Sequence, residues 1–221
     1  MQELRLGTLQ VAKTFLFFIF IRGRMNIGLV QVYTGDGKGK TTTSLGTALR
    51  AVGYNMSVYM IQFLKSGDTG ELFSIRKYLP NMKIIQFGME ALKEKQMKIY
   101  EHVKEKVNDK EPSEDEIYRF LPDEQEREAC RRGLEHAKTI ISSGRYDIVI
   151  MDEINCVLQK KLIDINEVLE LIKNKPEKTE LILTGRGAPK ELIDVADLVT
   201  EMKRVRHPFD KGILARKGIE Y

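Results

Sequence analysis

The chain has no tryptophan, two cysteines and three histidines, and little excess of charge of either sign. Cys130 and Cys156 stand far apart without C-x-x-C spacing. That excludes a disulfide framework or a zinc site and makes a reducing compartment, the cytoplasm, the expected location. Ser/His/Asp and Cys/His arrangements for nucleophilic catalysis are missing too, and Glu153 is the one residue placed to act as a base. The 36 Lys and Arg against 32 Asp and Glu leave a net +4. Of this, +3 belongs to residues 1–24, where Arg5, Lys13, Arg22 and Arg24 face Glu3 alone. The other 197 residues carry +1 and no basic stripe, which argues against nucleic acid as a partner. A transmembrane span is not expected either. "TFLFFIFI" (14–21) is far short of the ~20 apolar residues that cross a bilayer. Arg22-Gly23-Arg24 follows it, where a signal peptide would need small residues for cleavage. Met25 then opens a complete strand and loop, so residues 1–24 are expected to be an N-terminal extension outside the domain. A helix covering a groove and a weak membrane contact are the alternatives.

What is present is an alternation. Short β-rich runs at 26–33, 56–63, 82–87, 146–153, 179–187 and 198–203 are separated by helical stretches at 41–53, 70–79, 123–144, 164–172 and 189–196. The helix at 123–144 carries Cys130, Leu134, Ala137 and Ile141 at core spacing. Strands that alternate with helices predict the α/β class, with a mainly parallel β-sheet and helices on both faces. At 221 residues, 25–221 fits a single domain. One stretch is different. Fifteen of the 27 residues 93–119 are charged, seven basic and eight acidic. This charged helical insertion, about 92–121, is broken at Pro112 and restarted by the capping pair Ser113 and Glu116. It reads as a solvated helical pair on the domain edge or as a lid over a ligand.

Ligands of parallel sheets bind at the carboxyl ends of the strands, and the chemistry-bearing residues lie there. "TGDGKGKTT" (34–42) joins a strand to a helix in the manner of a P-loop, but the pattern G-x-x-x-x-G-K-[ST] puts its first glycine at position 34, which is threonine. The loop is one residue short and carries an additional lysine, Lys38. Its glycines let backbone N–H groups face one anion, Lys40 neutralises phosphate oxygens, and Thr41 offers a hydroxyl to Mg²⁺. Asp152 and Glu153 end a strand as Walker B acids do, and act either as metal ligands opposite Thr41 or as caps of the next segment. Arg186, between two glycines after another strand, is placed to reach a phosphate from the far side. His207, beside a proline, reads as a loop residue.

Together, "TGDGKGKTTTSLGTALRAVGY", "VYMIQFLK", "IVIMDEIN", "LILTGRG" and "VRHPFDKGILARKGIEY" resemble the P-loop type of ATP:corrinoid adenosyltransferases, in order over 26–88 and 123–221. The resemblance implies a RecA-like P-loop NTPase architecture. It also implies transfer of the 5′-deoxyadenosyl group of ATP to Co(I) of a corrinoid, with triphosphate as the leaving group. By the same resemblance, Gly35, Asp36, Gly37, Lys38, Gly39, Lys40, Thr41 and Thr42 bind the triphosphate, and Arg50 and Arg186 contact the nucleotide. Thr41 and Glu153, with Asp152 beside them, hold Mg²⁺ (or Mn²⁺). Lys38, Lys40 and Arg186 are the expected catalytic charges. The implied partners are a cobalt-reducing flavoprotein and a second copy of the chain in a homodimer. One departure stands out: after the third strand the bacterial form has an aromatic pair facing the corrin, where this chain reads "FGMEAL". The insertion begins there, with Tyr100, Tyr118 and Phe120 as its aromatics. The rival readings of the same loop are an ATPase or kinase that cleaves at the γ-phosphate and a non-enzymatic nucleotide-binding regulator.

Overall fold

The segment Val-Tyr-Met-Ile-Gln-Phe at 58–63 buries all six of its side chains. A strand can do so only in the middle of a sheet covered on both faces. The computed structural model describes residues 27–65, 67, 69–88 and 124–220, and these contain that sheet. In chain order the elements are β1 (Val30–Thr34), α1 (Lys40–Gly53), β2 (Val58–Phe63), α2 (Gly70–Tyr78), β3 (Met82–Phe87), α3 (Glu124–Ser142) and β4 (Ile148–Asp152). Then come α4 (Ile154–Gln159), α5 (Ile165–Lys173), β5 (Glu180–Thr184), α6 (Lys190–Val195), β6 (Leu198–Glu201) and a 3₁₀ turn at Pro208–Lys211. The six strands lie in the order β3-β2-β4-β5-β1-β6, and every pairing is parallel.

The two-residue period of the strands sorts the core into two layers. Val58, Met60, Ile148, Ile150 and Ile182 point to the face covered by α1 and α2, through Ala48, Ala51 and Ile75. Tyr59, Ile61, Val149, Met151, Leu181 and Leu183 point to the other face, under α3, α4, α5 and α6. Fully buried side chains of this size stabilise by about 1.5–3 kcal/mol each, which makes the central strands a stiff base for whatever their ends carry. α3 approaches closely because Gly133 faces Phe63, and a Cβ there would come within 2.6 Å of the ring.

The elements agree with the sequence pattern to within a few residues at their ends. The first strand starts at Val30, because Gly28 N–H is bonded to Glu177 O and Leu29 N–H to the Glu180 side chain before the ladder begins. Pattern reading missed α4, whose six residues are too few to display a helical period. None of the described helices is long and apolar enough to cross a membrane. The leader 1–24 and the insertion 92–121 lie outside the described residues.

Candidate active site

All strands run the same way, so the carboxyl ends of β1, β2, β4 and β5 come to one edge, and a cavity of about 610 Å³ opens there. The loop after β1 forms its floor. Gly35 and Gly39 have φ of +95° and +122°, a region that costs other residues about 1 kcal/mol or more. Gly37 is needed for a different reason: its N–H is bonded to Met202 O at 2.7 Å, and a Cβ would lie 2.7 Å from Lys203 O. The loop is thus laid against the chain that continues from β6. Thr34, where the longer motif has glycine, belongs to the same clasp. Its carbonyl accepts from Met202 N–H and its hydroxyl from Ala188 N–H. A threonine at the end of β1 therefore does anchoring work, and the loop turns one residue later.

α1 starts at Lys40 with no side-chain cap and no acidic residue in its first turn. Its leading N–H groups and the positive end of its dipole face the cavity, an arrangement that binds anions. The Lys40 ammonium is buried and donates to Gly35 O at 2.7 Å and Gly37 O at 2.8 Å. Burial lowers its pKa, Glu153 opposes that shift, and Arg186 adds to it. Asp36, Lys38, Thr41 and Thr42 also line the cavity.

The two acids at the end of β4 have opposite fates. Asp152 is fully buried and does not line the cavity. One of its oxygens accepts from Thr41 Oγ1 at 2.8 Å and Thr184 Oγ1 at 2.6 Å, and the other accepts from Gln62 Nε2 at 3.1 Å. It fixes the Thr41 hydroxyl from beneath. Glu153 turns into the left-handed region (φ 66°) and lines the cavity, with its N–H bonded to the Thr184 hydroxyl. Cys156 then joins two cavity residues. Its thiol donates to Glu153 Oε2 at 2.9 Å and accepts from Arg186 N–H at 3.2 Å. Burial first, and the Glu153 charge second, push that thiol up to about 12, so it stays a neutral bridge. Arg186 itself lines the cavity, on a turn made tight by Gly185 and Gly187, whose φ are +132° and +64°.

Of the residues singled out in the sequence, the structure gathers Asp36, Gly37, Lys38, Gly39, Lys40, Thr41, Thr42, Glu153 and Arg186 at one cavity, with Gly35 shaping the loop beneath. Arg50 is not brought there. It stands exposed in the last turn of α1, about 15 Å along the axis from Lys40. Sequence reading passed over Lys65, Glu71 and Ser74 on the β2–α2 side, and Gly218, Ile219 and Glu220 in the tail, all of which line the cavity. For Lys65 a signal existed: it is a lysine two residues beyond a wholly buried central strand, at the edge where ligands bind. His207, a loop residue by sequence, caps the 3₁₀ turn and reaches the cavity wall as well.

The comparisons with known proteins agree with this geometry. Residues 26–221 match the family described as "ATP:corrinoid adenosyltransferase BtuR/CobO/CobP". A corrinoid adenosyltransferase of Escherichia coli (strain K12) is 30% identical over 199 residues, which span 88% of this chain and 86% of that protein. One from Sinorhizobium sp is 34% identical over 198 residues, 88% of this chain and 80% of its own. Corrinoid adenosyltransferase CobA of Salmonella typhimurium is 29% identical over 199 residues, with shares of 88% and 86%. The match covers the loop after β1, the acids after β4, the arginine after β5 and the tail that meets them, and the chain belongs to the ATP:corrinoid adenosyltransferase family.

Proposed function

We propose that this cavity transfers the 5′-deoxyadenosyl group of ATP to Co(I) of a corrinoid, with the triphosphate held by the loop 35–42. In the step itself the cobalt electron pair forms a bond to C5′, and the bond from C5′ to the ester oxygen breaks. The electron pair of that bond leaves with the triphosphate, and the cobalt ends formally as Co(III). Co(I) is a strong nucleophile without a proton to lose, so no general base is required. The negative charge that develops falls on the leaving group, where Lys38, Lys40 and Arg186 converge with the first turn of α1. That convergence of cations at the position of the leaving group carries the reading.

Mg²⁺ fits the donors that are present. Thr41 and Glu153 offer hard oxygens to the cavity and would hold the ion, Asp152 holds the Thr41 hydroxyl in place, and phosphate oxygens and water would supply the remaining oxygens that Mg²⁺ favours. Mn²⁺ suits the same oxygens. When bound, the ion would neutralise charge on the triphosphate. An electron donor of flavoprotein type supplying Co(I), a cytoplasmic setting and a pairing of two copies belong to the same reading. The test is the product. ATP, Mg²⁺ and chemically reduced cobalamin should yield adenosylcobalamin and triphosphate in equal amounts. ADP as main product with an unchanged corrin spectrum would turn the loop over to phosphoryl transfer.

A further inference from the structure

Lys65 follows β2 and approaches the cavity from the side opposite the loop. Its ammonium lies 3.5 Å from Asp152 Oδ2, with the side chain a quarter exposed. A charge-assisted hydrogen bond to a carboxylate is normally about 2.7–2.9 Å, so this is the loosest of the partners of Asp152. The other three, Thr41, Thr184 and Gln62, are neutral donors at 2.8, 2.6 and 3.1 Å. They satisfy the carboxylate geometrically without the lysine. The backbone also aims Lys65 deliberately. Leu64 before it is left-handed (φ 56°), an unfavourable state for a leucine, and its N–H is held by Phe87 O at 3.0 Å. Gly88 admits that bend, since a Cβ there would come within 3.3 Å of the Leu64 backbone. Strain at a strand end that turns a lysine into a cavity is a feature of sites rather than of packing.

The charges of the cavity point the same way. Lys38, Lys40 and Arg186 share its wall with Asp36, Glu71, Glu153 and Glu220, so without Lys65 the wall has a deficit of cations. Departure of a triphosphate adds negative charge to a group that already carries several, and every cation within reach lowers that barrier. We propose that Lys65 is a further substrate-binding residue of the transfer reaction, contributing a cation to the triphosphate from the β2 side. It rests on Asp152 when the site is empty. This inference rests on the adenosyl-transfer reading of the cavity, and it adds a residue that the P-loop pattern does not contain.

Calorimetry on the full chain with inorganic triphosphate in Mg²⁺, and separately with adenosine, tests it. Lys65→Met should weaken triphosphate binding about tenfold or more, the scale of one lost charge-assisted contact, and leave adenosine binding unchanged. Lys65→Arg should recover most of the loss. Because Lys65→Met also removes a cation from a buried carboxylate, the same measurement is made on Asp152→Asn with and without Lys65→Met. The lysine change should cost the same factor in both backgrounds. Triphosphate affinity in Lys65→Met equal to the parent's, or a loss that vanishes in the Asp152→Asn background, reduces Lys65 to a partner of Asp152 and overturns the inference alone. A parent chain that binds no triphosphate overturns the adenosyl-transfer reading along with it.

Discussion

The loop at 35–41 and the tail at 205–220 face each other across one cavity, and they are built by opposite means. The loop is clasped by short bonds to and from backbone: Gly37 N–H to Met202 O, Thr34 to the Met202 and Ala188 N–H groups, and the Lys40 ammonium folded over the carbonyls of Gly35 and Gly37. The tail is mostly exposed, with Val205 87%, Leu214 64% and Ile219 59% accessible. Its ion pairs, Arg204 to Asp210 and Arg216 to Glu220, are local, and its tie to the loop is Lys38 Nζ to Ile219 O at 3.3 Å. The difference teaches where the energy of recognition resides. An anion site works best when its donors are fixed before the ligand arrives, since no reorganisation is then needed as charge develops. A wall of exposed side chains and short local pairs adapts instead, and its loss should leave the floor intact.

The largest effect expected on the loop side is that of Lys40→Ala. Removing a charge-assisted contact at a desolvated phosphate costs about 2–4 kcal/mol, roughly 30- to 1000-fold in ATP affinity by calorimetry. The melting temperature should change little, because the loss of the bonds to Gly35 O and Gly37 O is opposed by relief of the burial cost of the ammonium. Burial depresses the Lys40 pKa, so below that lowered pKa the folded state carries a desolvated charge that the unfolded chain does not. That penalty fades only as pH rises toward the ordinary lysine range, and at neutral pH the alanine variant is free of it. Near-parental ATP affinity would remove the loop from the site and end the contrast.

Gly37→Ala comes next and probes the clasp instead of the charge. Its Cβ would meet Lys203 O at 2.7 Å, a backbone atom that has no rotamer to escape into. Either the loop lifts or β6 shifts, at about 1–3 kcal/mol, the usual cost of overpacking. We expect a melting temperature several degrees lower and weaker ATP binding together. A loss of binding with unchanged stability would mean that the loop is positioned by something other than Met202 and Lys203.

Much of this was legible in the residues, and unevenly so. The β-rich runs and the amphipathic 123–144 segment gave the layers because a parallel sheet buries both faces, and burial writes itself into composition. The shortened loop, Glu153 and Arg186 were visible because glycine and charge at a strand end have few other uses. The clasp was not, since Gly37 and Met202 are 165 positions apart and only β6 pairing with β1 brings them together. Arg50 is the other case: the family resemblance assigns it to the nucleotide, while the structure places it at the far end of α1, outside the lining of the cavity. In sequence, neighbouring Asp152 and Glu153 both read as metal-binding acids at one strand end. The left-handed turn at Glu153 separates a buried carboxylate from one that lines the cavity, and nothing in the one-dimensional pattern marks it.

The smallest expected effect belongs to the tail. Removing residues 213–221 takes away side chains that are largely exposed and an Arg216–Glu220 pair closed within the tail itself. Exposed ion pairs of this kind are screened by solvent and contribute little, and Glu220 is held near a pKa of about 2 by Arg216, a partner lost with it. Below pH about 2 that pairing is gone even in the intact chain, so at neutral pH its removal subtracts only a surface contact. The floor of the cavity keeps all of its backbone bonds, because Met202 and Lys203 precede the cut. Lys38 loses its bond to Ile219 O and becomes free for a phosphate oxygen, which offsets the loss of a wall. The shortened chain should therefore melt within about 2 °C of the parent, less than 1 kcal/mol for a domain of this size, and bind ATP within about threefold of it. A drop of many degrees would show that the tail clamps the loop as firmly as β6 does, and the two sides of the cavity would then be built alike.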